Sequence, residues 1–429
     1  MLSREDNERL TRVGPDTPMG RLLRRYWMPV GAVSEFGAAS ARAVRLLGED
    51  LVLYRDRSGT FGLVDRRCPH RGADMSCGFV EEHGLRCHYH GWLFDSEGVC
   101  REQPYEDIAR PGAGSKVRIP SYPIEAKAGL LWAYLGPEPR PLVPDWEPFG
   151  WENGFRQIVF ADVPCNWFQC QENSIDPVHF EWLHANWSQR LAGGNEEADS
   201  PRHIRVAFEE FDYGFVYRRL REGMSEENPL WTTGRVCLWP NALFTGSHFE
   251  WRVPADDENT LSVTWSFTRV PKDREPYVQE RIPAWRGPVR DAVTGEWITS
   301  HVMNQDFVAW VSQGPIADRT RESLAASDAG IIALRKRFLG ELDHLDAGRA
   351  LKGVVCDPAL NRGIRLPVAD YEALTGGLER EEMRRHPFLG GWLTGAYPFQ
   401  AGQPDPIRRE FEDAMGIGPD RRPPEAARP

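Results

Sequence analysis

The chain has 429 residues, of which 41% are hydrophobic and 27% are charged. This length and balance exclude a single small module and a largely disordered chain, and they predict two or three domains. The formal net charge of −11 argues against a general nucleic-acid binder, because neutralising phosphates requires a basic face. Eight cysteines are too few for a disulfide scaffold and favour a reducing compartment. The sequence contains no long apolar stretch typical of a signal or a membrane span, so we expect a cytoplasmic protein that does not bind membranes.

Residues 1–145 predict a first domain. Ser3 and Thr17 are suited to cap two short helices, and Pro18 follows Thr17 at the first helical position. Short apolar runs then alternate with turn residues, which is typical of a small antiparallel β-domain. These runs cover 43–47, 51–54, 61–64 and 129–135. A Pro-rich connector over 136–144 marks the domain boundary.

Residues 146–429 predict a second, mixed domain with a Pro-rich C-terminal tail. Strand-like runs are bracketed by helical segments, which indicates an α+β domain with a central antiparallel sheet flanked by helices. The strand-like runs cover 215–217, 234–239 and 261–267, and the helical segments cover 177–187, 302–311 and 329–342.

Two Cys/His pairs lie within the predicted β-domain. The first is Cys68-Pro69-His70, and the second is Cys87-His88-Tyr89-His90. A Rieske-type [2Fe–2S] cluster needs two thiolates on one iron and two imidazoles on the other, and each pair offers one ligand of each kind. Cys68 and Cys87 would bind one iron, and His70 and His90 the other. A structural Cys2His2 zinc site is the alternative, although such sites usually pair Cys with Cys and His with His.

A second histidine pair follows the connector, in the sequence from Asp176 to His184. Asp176 can cap a helix that begins at Pro177, and this places His179 in its first turn. His179 and His184 are five residues apart, about 140° around an ideal α-helix, so binding one metal would require a distorted helix. Non-haem Fe(II) sites that activate O2 use two histidines and one carboxylate. Asp306, expected on the interior of a helix, is our candidate carboxylate, and Asp318, which follows a turn, is the rival.

The whole chain resembles the oxygenase component, or α subunit, of the Rieske non-haem iron oxygenases. The resemblance rests on both Cys/His pairs and on the D-x-x-H-x-x-x-x-H pattern that ends at His184. It is greatest to the phthalate dioxygenase and aryl O-demethylase branch, on the strength of residues 1–7, Gln305-Asp306, 312–314 and Asp318-Arg319.

The resemblance implies a role for each matching residue. His179, His184 and Asp306 would bind a mononuclear Fe(II), and Asn173 would be a polar residue near it. Asp176 would be the carboxylate that bridges His179 and the partner subunit's His90. A homotrimer, or two stacked trimers, is implied, because in this family the cluster of one subunit lies beside the mononuclear iron of its neighbour.

The implied function is that of an oxygenase component that uses O2 to hydroxylate an aromatic, carboxylated substrate by mono- or cis-dihydroxylation. A separate NAD(P)H-dependent reductase, with or without a ferredoxin, would supply electrons, since no G-x-G-x-x-G fingerprint follows a predicted strand. The alternatives are an aryl O- or N-demethylase with the same metal centres and, in another class, a non-catalytic Rieske electron carrier.

An arginine in the pocket would suit a substrate carboxylate, because its guanidinium binds such groups through two parallel hydrogen bonds. Arg219, Arg235 and Arg252 lie in the strand-rich region, but a solvated strand face is the favoured interpretation for each. Several aromatic residues lie near the expected site, and for each of them alone a position in the hydrophobic core is the favoured interpretation over a position in the substrate pocket. They are Trp167, Phe168, Phe180, Trp182, Trp239, Phe244, Phe249 and Trp251.

Overall fold

The structure is a computed structural model that describes residues 1–37, 40–110, 116–191, 202–368 and 400–416. Most of the predicted Pro-rich tail, from residue 417 onward, lies outside the described residues. Within the described part of the chain, no helix combines the length and the apolarity needed to cross a membrane.

The helices of the described residues are mostly short, and several of them begin at a side-chain cap. Ser3 accepts a hydrogen bond from the Asp6 N–H and Thr17 accepts one from the Gly20 N–H, so both predicted N-caps are confirmed. The helices are α1 Arg4–Thr11, α2 Pro18–Leu23, α3 Pro104–Ala109, α4 Trp167–Asn173, a π-helix at Phe180–Asn186, α5 Trp187–Leu191, α6 Pro229–Thr232, α7 Val302–Val311, α8 Ala329–Asp346 and α9 Asp405–Met415.

Three small antiparallel sheets form the N-terminal third of the chain, as the alternating apolar runs predicted. Their orders are β1-β11-β10, β2-β3-β4-β9 and β5-β6-β7-β8. The strands are β1 Met28–Ala32, β2 Ser40–Leu46, β3 Glu49–Arg55, β4 Phe61–Asp65, β5 Phe79–Glu81, β6 Gly84–Arg86, β7 Leu93–Phe94, β8 Cys100–Glu102, β9 Ser121–Tyr122, β10 Ile124–Lys127 and β11 Leu130–Ala133.

An eight-stranded sheet forms the centre of the C-terminal part, in the order β13-β14-β15-β16-β17-β18-β12-β19. Its neighbouring strands are antiparallel except for β12 and β19. The strands are β12 Gly154–Val163, β13 His203–Phe211, β14 Gly214–Arg221, β15 Arg235–Leu238, β16 Ala242–Phe244, β17 His248–Pro254, β18 Thr260–Arg269 and β19 Ala284–Arg286. The α+β fold class with a central antiparallel sheet is confirmed.

The side chains of β17 show how this sheet separates core from site. Phe249 and Trp251 belong to the main apolar core, where Trp251 meets Trp132 of β11 edge to face at 5.3 Å. The alternate residues His248, Glu250 and Arg252 are equally buried but form a polar row. Since neighbouring residues of a strand point to opposite faces, one face is apolar and the other carries buried charge. Helix α4 packs across β17.

The predicted division of the chain at residue 145 stays a prediction. Helices α1 and α2 precede that boundary, yet both contact α8, which lies far beyond it. Leu10 of α1 and Leu22 of α2 share the main core with Phe338 of α8. The N-terminal helices are therefore packed onto the C-terminal part of the chain.

Candidate metal centres

Two loops with the same hydrogen-bond pattern carry the four Cys and His residues predicted to hold a cluster. In the first, the Cys68 N–H donates to Ala73 O at 2.9 Å and the Gly72 N–H donates to Cys68 O at 2.8 Å. In the second, the Cys87 N–H donates to Trp92 O at 2.8 Å and the Gly91 N–H to Cys87 O at 3.0 Å. Gly72 and Gly91 occupy equivalent positions with φ of +72° and +74°, a conformation that glycine adopts without strain.

The two thiols and the two imidazoles of these loops lie in different surroundings. Cys68 and Cys87 are buried in an apolar core between the two four-stranded sheets, and burial, with the neighbouring Cys87 thiol, raises the pKa of Cys68 to about 11. His70 and His90 are exposed, and their ring centroids are 4.4 Å apart. The donor set therefore fits a cluster with one buried, thiolate-bound iron and one exposed, imidazole-bound iron.

The second centre is formed by His179, His184 and Asp306. Asp306 Oδ1 lies 3.7 Å from His179 Nε2 and 3.4 Å from His184 Nε2, and one ligand atom of each residue lies within 4.8 Å of the others. The side chains of His184 and Asp306 are almost wholly buried. Two imidazoles and one carboxylate facing one another fit the facial set of ligands that binds non-haem iron.

A π-helix brings the two histidines together despite their five-residue spacing. The π segment Phe180–Asn186 directly follows His179 and contains His184. A π-turn closes with an i→i+5 hydrogen bond, so residues five apart lie on the same side of the helix. The helix distortion that the sequence required is thus present at the expected place.

Polar residues lie beside the outer nitrogens of both rings and beside the carboxylate. His179 Nδ1 lies 3.5 Å from Asp176 Oδ2, and His184 Nδ1 lies 3.0 Å from Gln305 Oε1. The Asn173 side-chain amide donates to Asp306 Oδ1 at 3.2 Å. Such contacts orient imidazoles with Nε2 toward a metal. Sequence reasoning assigned roles to Asp176 and Asn173 but none to Gln305, although it directly precedes Asp306.

The charges at this centre stabilise one another. Burial opposes protonation of His184, but the facing carboxylate of Asp306 outweighs it and raises the pKa of His184 above its ordinary value. Burial likewise disfavours the charged form of Asp176, yet the contact with His179 lowers the pKa of Asp176 below its ordinary value. The contact with His179 thus favours the ionised form of the Asp176 carboxylate.

Asp318, the rival carboxylate, lies on an exposed turn. Its Oδ1 accepts hydrogen bonds from the Thr320 N–H at 3.1 Å and from the Thr320 hydroxyl at 2.6 Å. This turn-capping role accounts for Asp318, and Asp306 is the aspartate that faces the two histidines.

The expectation of a solvated strand face is wrong for two of the three arginines. Arg219 and Arg252 are only 2% and 1% exposed, whereas Arg235 is half-buried. Arg219 and Arg235 lie over the ring of Phe180, at 4.5 and 5.4 Å from its centroid. Arg252 instead pairs with Glu250 at 2.5 Å.

The ring of Phe180 contacts both of these arginines and also His179 and His184. Its ring centroid is 4.9 Å from that of His179 and 4.8 Å from that of His184. The core positions favoured for the other aromatic residues are confirmed except at Trp182, which is 59% exposed. The residues confirmed in the main core are Trp167, Phe168, Trp239, Phe244, Phe249 and Trp251.

Two family models match the chain, one in each part. Residues 26–123 match the Rieske [2Fe-2S] domain, and residues 237–374 match a domain described as LigXa C-terminal domain like. The chain is 57% identical to the 5,5'-dehydrodivanillate O-demethylase oxygenase subunit of Sphingobium sp. (strain NBRC 103272 / SYK-6), across 98% of this chain and 99% of that protein. It is 31% identical to the phthalate 4,5-dioxygenase oxygenase subunit of Pseudomonas putida, across 82% and 89% of the two chains.

The fold is shared with solved structures at lower identity. The NdmA QL mutant of Pseudomonas putida CBB5, solved with theobromine, aligns over 77% of this chain and 93% of its own, with a TM-score of 0.54 and 19% identity.

A Rieske domain followed by a domain with a central antiparallel sheet and a two-histidine, one-carboxylate site on its helices defines the oxygenase subunit of a two-centre iron enzyme. The chain belongs to the Rieske non-haem iron oxygenases, in the branch of phthalate dioxygenase and the aryl O-demethylases. It is an oxidoreductase that uses O2 and carries a [2Fe–2S] cluster and a mononuclear iron. Membership of this family excludes the two alternatives, a structural Cys2His2 zinc site and a non-catalytic Rieske electron carrier.

Proposed function

We propose that this oxygenase subunit removes a methyl group from an aryl methyl ether whose ring also bears a carboxylate. The observation that carries the proposal is the buried guanidinium of Arg219, one aromatic ring away from the iron-site histidines. The 57% identity to an O-demethylase subunit supports the same reaction. The overall reaction balances as aryl methyl ether, O2, two electrons and two protons giving phenol, formaldehyde and water.

We assign the cluster to Cys68, Cys87, His70 and His90, and the mononuclear iron to His179, His184 and Asp306. The cluster supplies electrons, and the mononuclear iron, when bound, supplies the chemistry that activates O2. Gln305 contacts the outer nitrogen of His184 at 3.0 Å, and the carboxylate of Asp176 lies 3.5 Å from the outer nitrogen of His179. Asn173 fixes the carboxylate of Asp306 through its side-chain amide.

Arg219 and Arg235 favour an anionic substrate because no ion pair among the described residues balances their positive charge. Nε and Nη1 of Arg219 and Nε of Arg235 are buried without a hydrogen-bond partner among the described residues. Burial and the nearby Arg235 and Arg221 hold the pKa of Arg219 well below its ordinary value. Burying a guanidinium without an anion is costly, so a substrate carboxylate would bring the missing counter-charge.

The first experiment is product analysis with the reduced holoenzyme, a surrogate reductase and isotopically heavy O2. The panel contains 5,5'-dehydrodivanillate, smaller methoxybenzoates and their methyl esters. We expect formaldehyde and a phenol from the acids and little turnover of the esters. Turnover of the esters at the rate of the acids would contradict the carboxylate requirement.

Replacing Arg219 tests the anchor directly. In Arg219→Met the length of the side chain is kept and the charge is lost, so KM for a methoxybenzoate should rise by roughly 10- to 100-fold, the value of a hydrogen bond to a charged group. Arg218→Met is the matched control, because Arg218 is a neighbour on β14 that pairs with Glu209 at 2.8 Å. An unchanged KM in Arg219→Met would rule out this arginine as the anchor.

Ring hydroxylation is the second candidate, favoured by the identity to a phthalate dioxygenase subunit. It uses the same ligand set and the same carboxylate anchor. Two heavy oxygen atoms in one product without formaldehyde would establish dihydroxylation instead of demethylation.

The partners and assembly complete the proposal. The relatives are oxygenase subunits of multicomponent systems, and we propose a separate NAD(P)H-dependent reductase, with or without a ferredoxin, as the electron donor. We propose a homotrimer, or two stacked trimers, in which Asp176 bridges His179 and the partner subunit's His90. The division into residues 1–145 and 146–429 and the cytoplasmic location are part of this proposal.

A further inference from the structure

Glu172 lies buried between two arginines, directly before Asn173 in helix α4. Arg319 donates to both carboxylate oxygens, with Nε at 3.0 Å from Oε1 and Nη2 at 2.6 Å from Oε2. Arg335 donates from Nε to Oε1 at 2.6 Å. Burial disfavours the charged carboxylate, yet the two guanidinium groups keep the pKa of Glu172 below its ordinary value.

The first residues of the chain contact Arg319 from the outside of this group of ion pairs. Arg319 Nη1 donates to Asn7 Oδ1 at 3.0 Å, and the Asn7 side-chain amide donates to Ala317 O at 3.1 Å. The backbone N–H of Leu2 donates to Arg319 O at 3.1 Å. The N-terminal segment and the Asp318-Arg319 pair, which carried part of the family resemblance, therefore meet at one place.

Gln169 joins α4 to the same segment one turn earlier. Its side-chain amide donates to Trp310 O at 2.8 Å and to Gly314 O at 2.9 Å, and its carbonyl accepts the Ala317 N–H at 2.9 Å. Trp310 lies in the last turn of α7, the helix that carries Asp306, and residues 312–319 directly follow that helix. The short helix α4 is thus bonded to the continuation of α7 at two successive turns.

We infer that Glu172 and Arg319 form a positioning clamp that sets the distance between Asn173 on α4 and Asp306 on α7. This inference rests on the proposed ligand role of Asp306. A helix of seven residues has little stability of its own, so contacts with its surroundings must fix its C-terminal end. A buried ion pair adds little stability compared with apolar packing. The role of the clamp is instead to fix the position of α4, with Asn173, relative to α7, with Asp306.

The test measures Fe(II) affinity at the mononuclear site after removal of that iron from the holoenzyme. Arg319→Lys keeps the charge but loses the paired hydrogen bonds to Glu172. We expect the dissociation constant for Fe(II) to rise by about tenfold, the usual effect of losing an outer contact of a metal site. The cluster absorbance reports the folded fraction.

Arg24→Lys is the matched control, since Arg24 is also buried and pairs with Glu49 at 2.7 Å, in another part of the chain. It should lower the melting temperature and leave Fe(II) affinity unchanged. Equal affinities in Arg319→Lys and Arg24→Lys would overturn the clamp.

If Arg319→Lys does not fold, Asn7→Ala removes the half-buried outer contact instead. It should weaken Fe(II) binding by a smaller factor while the cluster absorbance stays at the wild-type level, and an unchanged affinity would again overturn the clamp. Wild-type protein that binds only cluster iron would refute the proposed ligand set. Normal Fe(II) binding without demethylation would refute the proposed reaction and leave the clamp standing.

Discussion

At the scale of single residues, Gln305 shows how a neutral side chain can tune a charged site. Its Oε1 lies 3.0 Å from His184 Nδ1, and its amide donates to Ser188 Oγ at 2.7 Å and to Thr299 O at 2.9 Å. Because the amide group is held from its nitrogen side, its oxygen faces the imidazole. An oxygen in this position can accept the Nδ1–H of His184, which leaves Nε2 free to bind a metal ion.

Gln305→Ala should therefore weaken the mononuclear site without affecting the cluster. We expect the dissociation constant for Fe(II) to rise by roughly 10- to 100-fold, measured by metal titration with the cluster absorbance as the internal standard. Gln313→Ala, at an exposed glutamine in the following turn, should bind Fe(II) as the wild type does. Wild-type affinity in Gln305→Ala would show that His184 is oriented by other contacts.

We expect Glu250 to make the folded protein less stable at acid pH. It is buried, and although burial opposes its charge, Arg252 and His248 lower its pKa to about 2. A depressed folded-state pKa means that the stabilisation is complete above the unfolded pKa of about 4.3 and is lost as the pH falls toward 2. When the pH falls from 6 to about 3.5, protonation linked to Glu250 should lower the free energy of unfolding by about 1 kcal/mol.

Urea unfolding of wild type and Glu250→Gln at these two pH values measures that contribution. The variant should be less stable at pH 6, and its midpoint should fall less on acidification than that of the wild type. Glu97→Gln, at an exposed position, should keep the full acid dependence. Equal acid dependence in wild type and Glu250→Gln would contradict an ionised Glu250.

The same sheet face explains why sequence reasoning misjudged Arg219 and Arg252. A strand that alternates polar and apolar residues normally turns its polar side to water. Here helix α4 packs across β17 and Phe180 of the π-helix lies against Arg219, so the polar residues of this face are buried. The sequence shows the alternation but not what covers each face, and burial of the arginines therefore could not be predicted.

At the scale of elements, the residues of both metal centres follow from local motifs. The two Cys/His loops and the helices around His184 and Asp306 are short-range features, and α7 matches its predicted range of 302–311. What the residues alone left open was whether Asp306 or Asp318, each more than a hundred residues away in the chain, faces His179. The five-residue spacing predicted a distorted helix but not that the distortion is a π-turn, because the surrounding packing determines whether a helix accommodates an extra residue.

Inserting one alanine between Trp182 and Leu183 tests this element. The histidines would then be six residues apart, a spacing that neither an α-turn nor a π-turn brings to one side. We expect iron analysis to find cluster iron only, with an unchanged cluster spectrum. The same insertion at the exposed turn after Ala347 should keep both centres. Retention of mononuclear iron in the first variant would show that the π-turn is not needed for metal binding.

At the scale of the whole molecule, the two centres differ in how they meet the surface. His70 and His90, the proposed imidazole ligands of the cluster, are exposed. In the other proposed centre Trp182 of the π-helix is also exposed, and Asp176 is half-buried. These two exposed surfaces lie on different parts of one chain. A head-to-tail ring of subunits would join the first surface of one subunit to the second surface of the next. Electrons would then cross between subunits rather than within one chain.

Mixed trimers distinguish these two routes. Cys87→Ser removes a proposed cluster ligand and Asp306→Ala a proposed ligand of the mononuclear iron, so each homotrimer should be inactive. In trimers co-expressed in equal amounts, a productive contact needs an intact cluster on one subunit and an intact iron site on the next, which random assembly in a closed ring gives at about a quarter of contacts. We therefore expect about a quarter of wild-type formaldehyde formation from the mixture. Transfer within one chain predicts no activity at any mixing ratio, because every chain would lack one of its two centres.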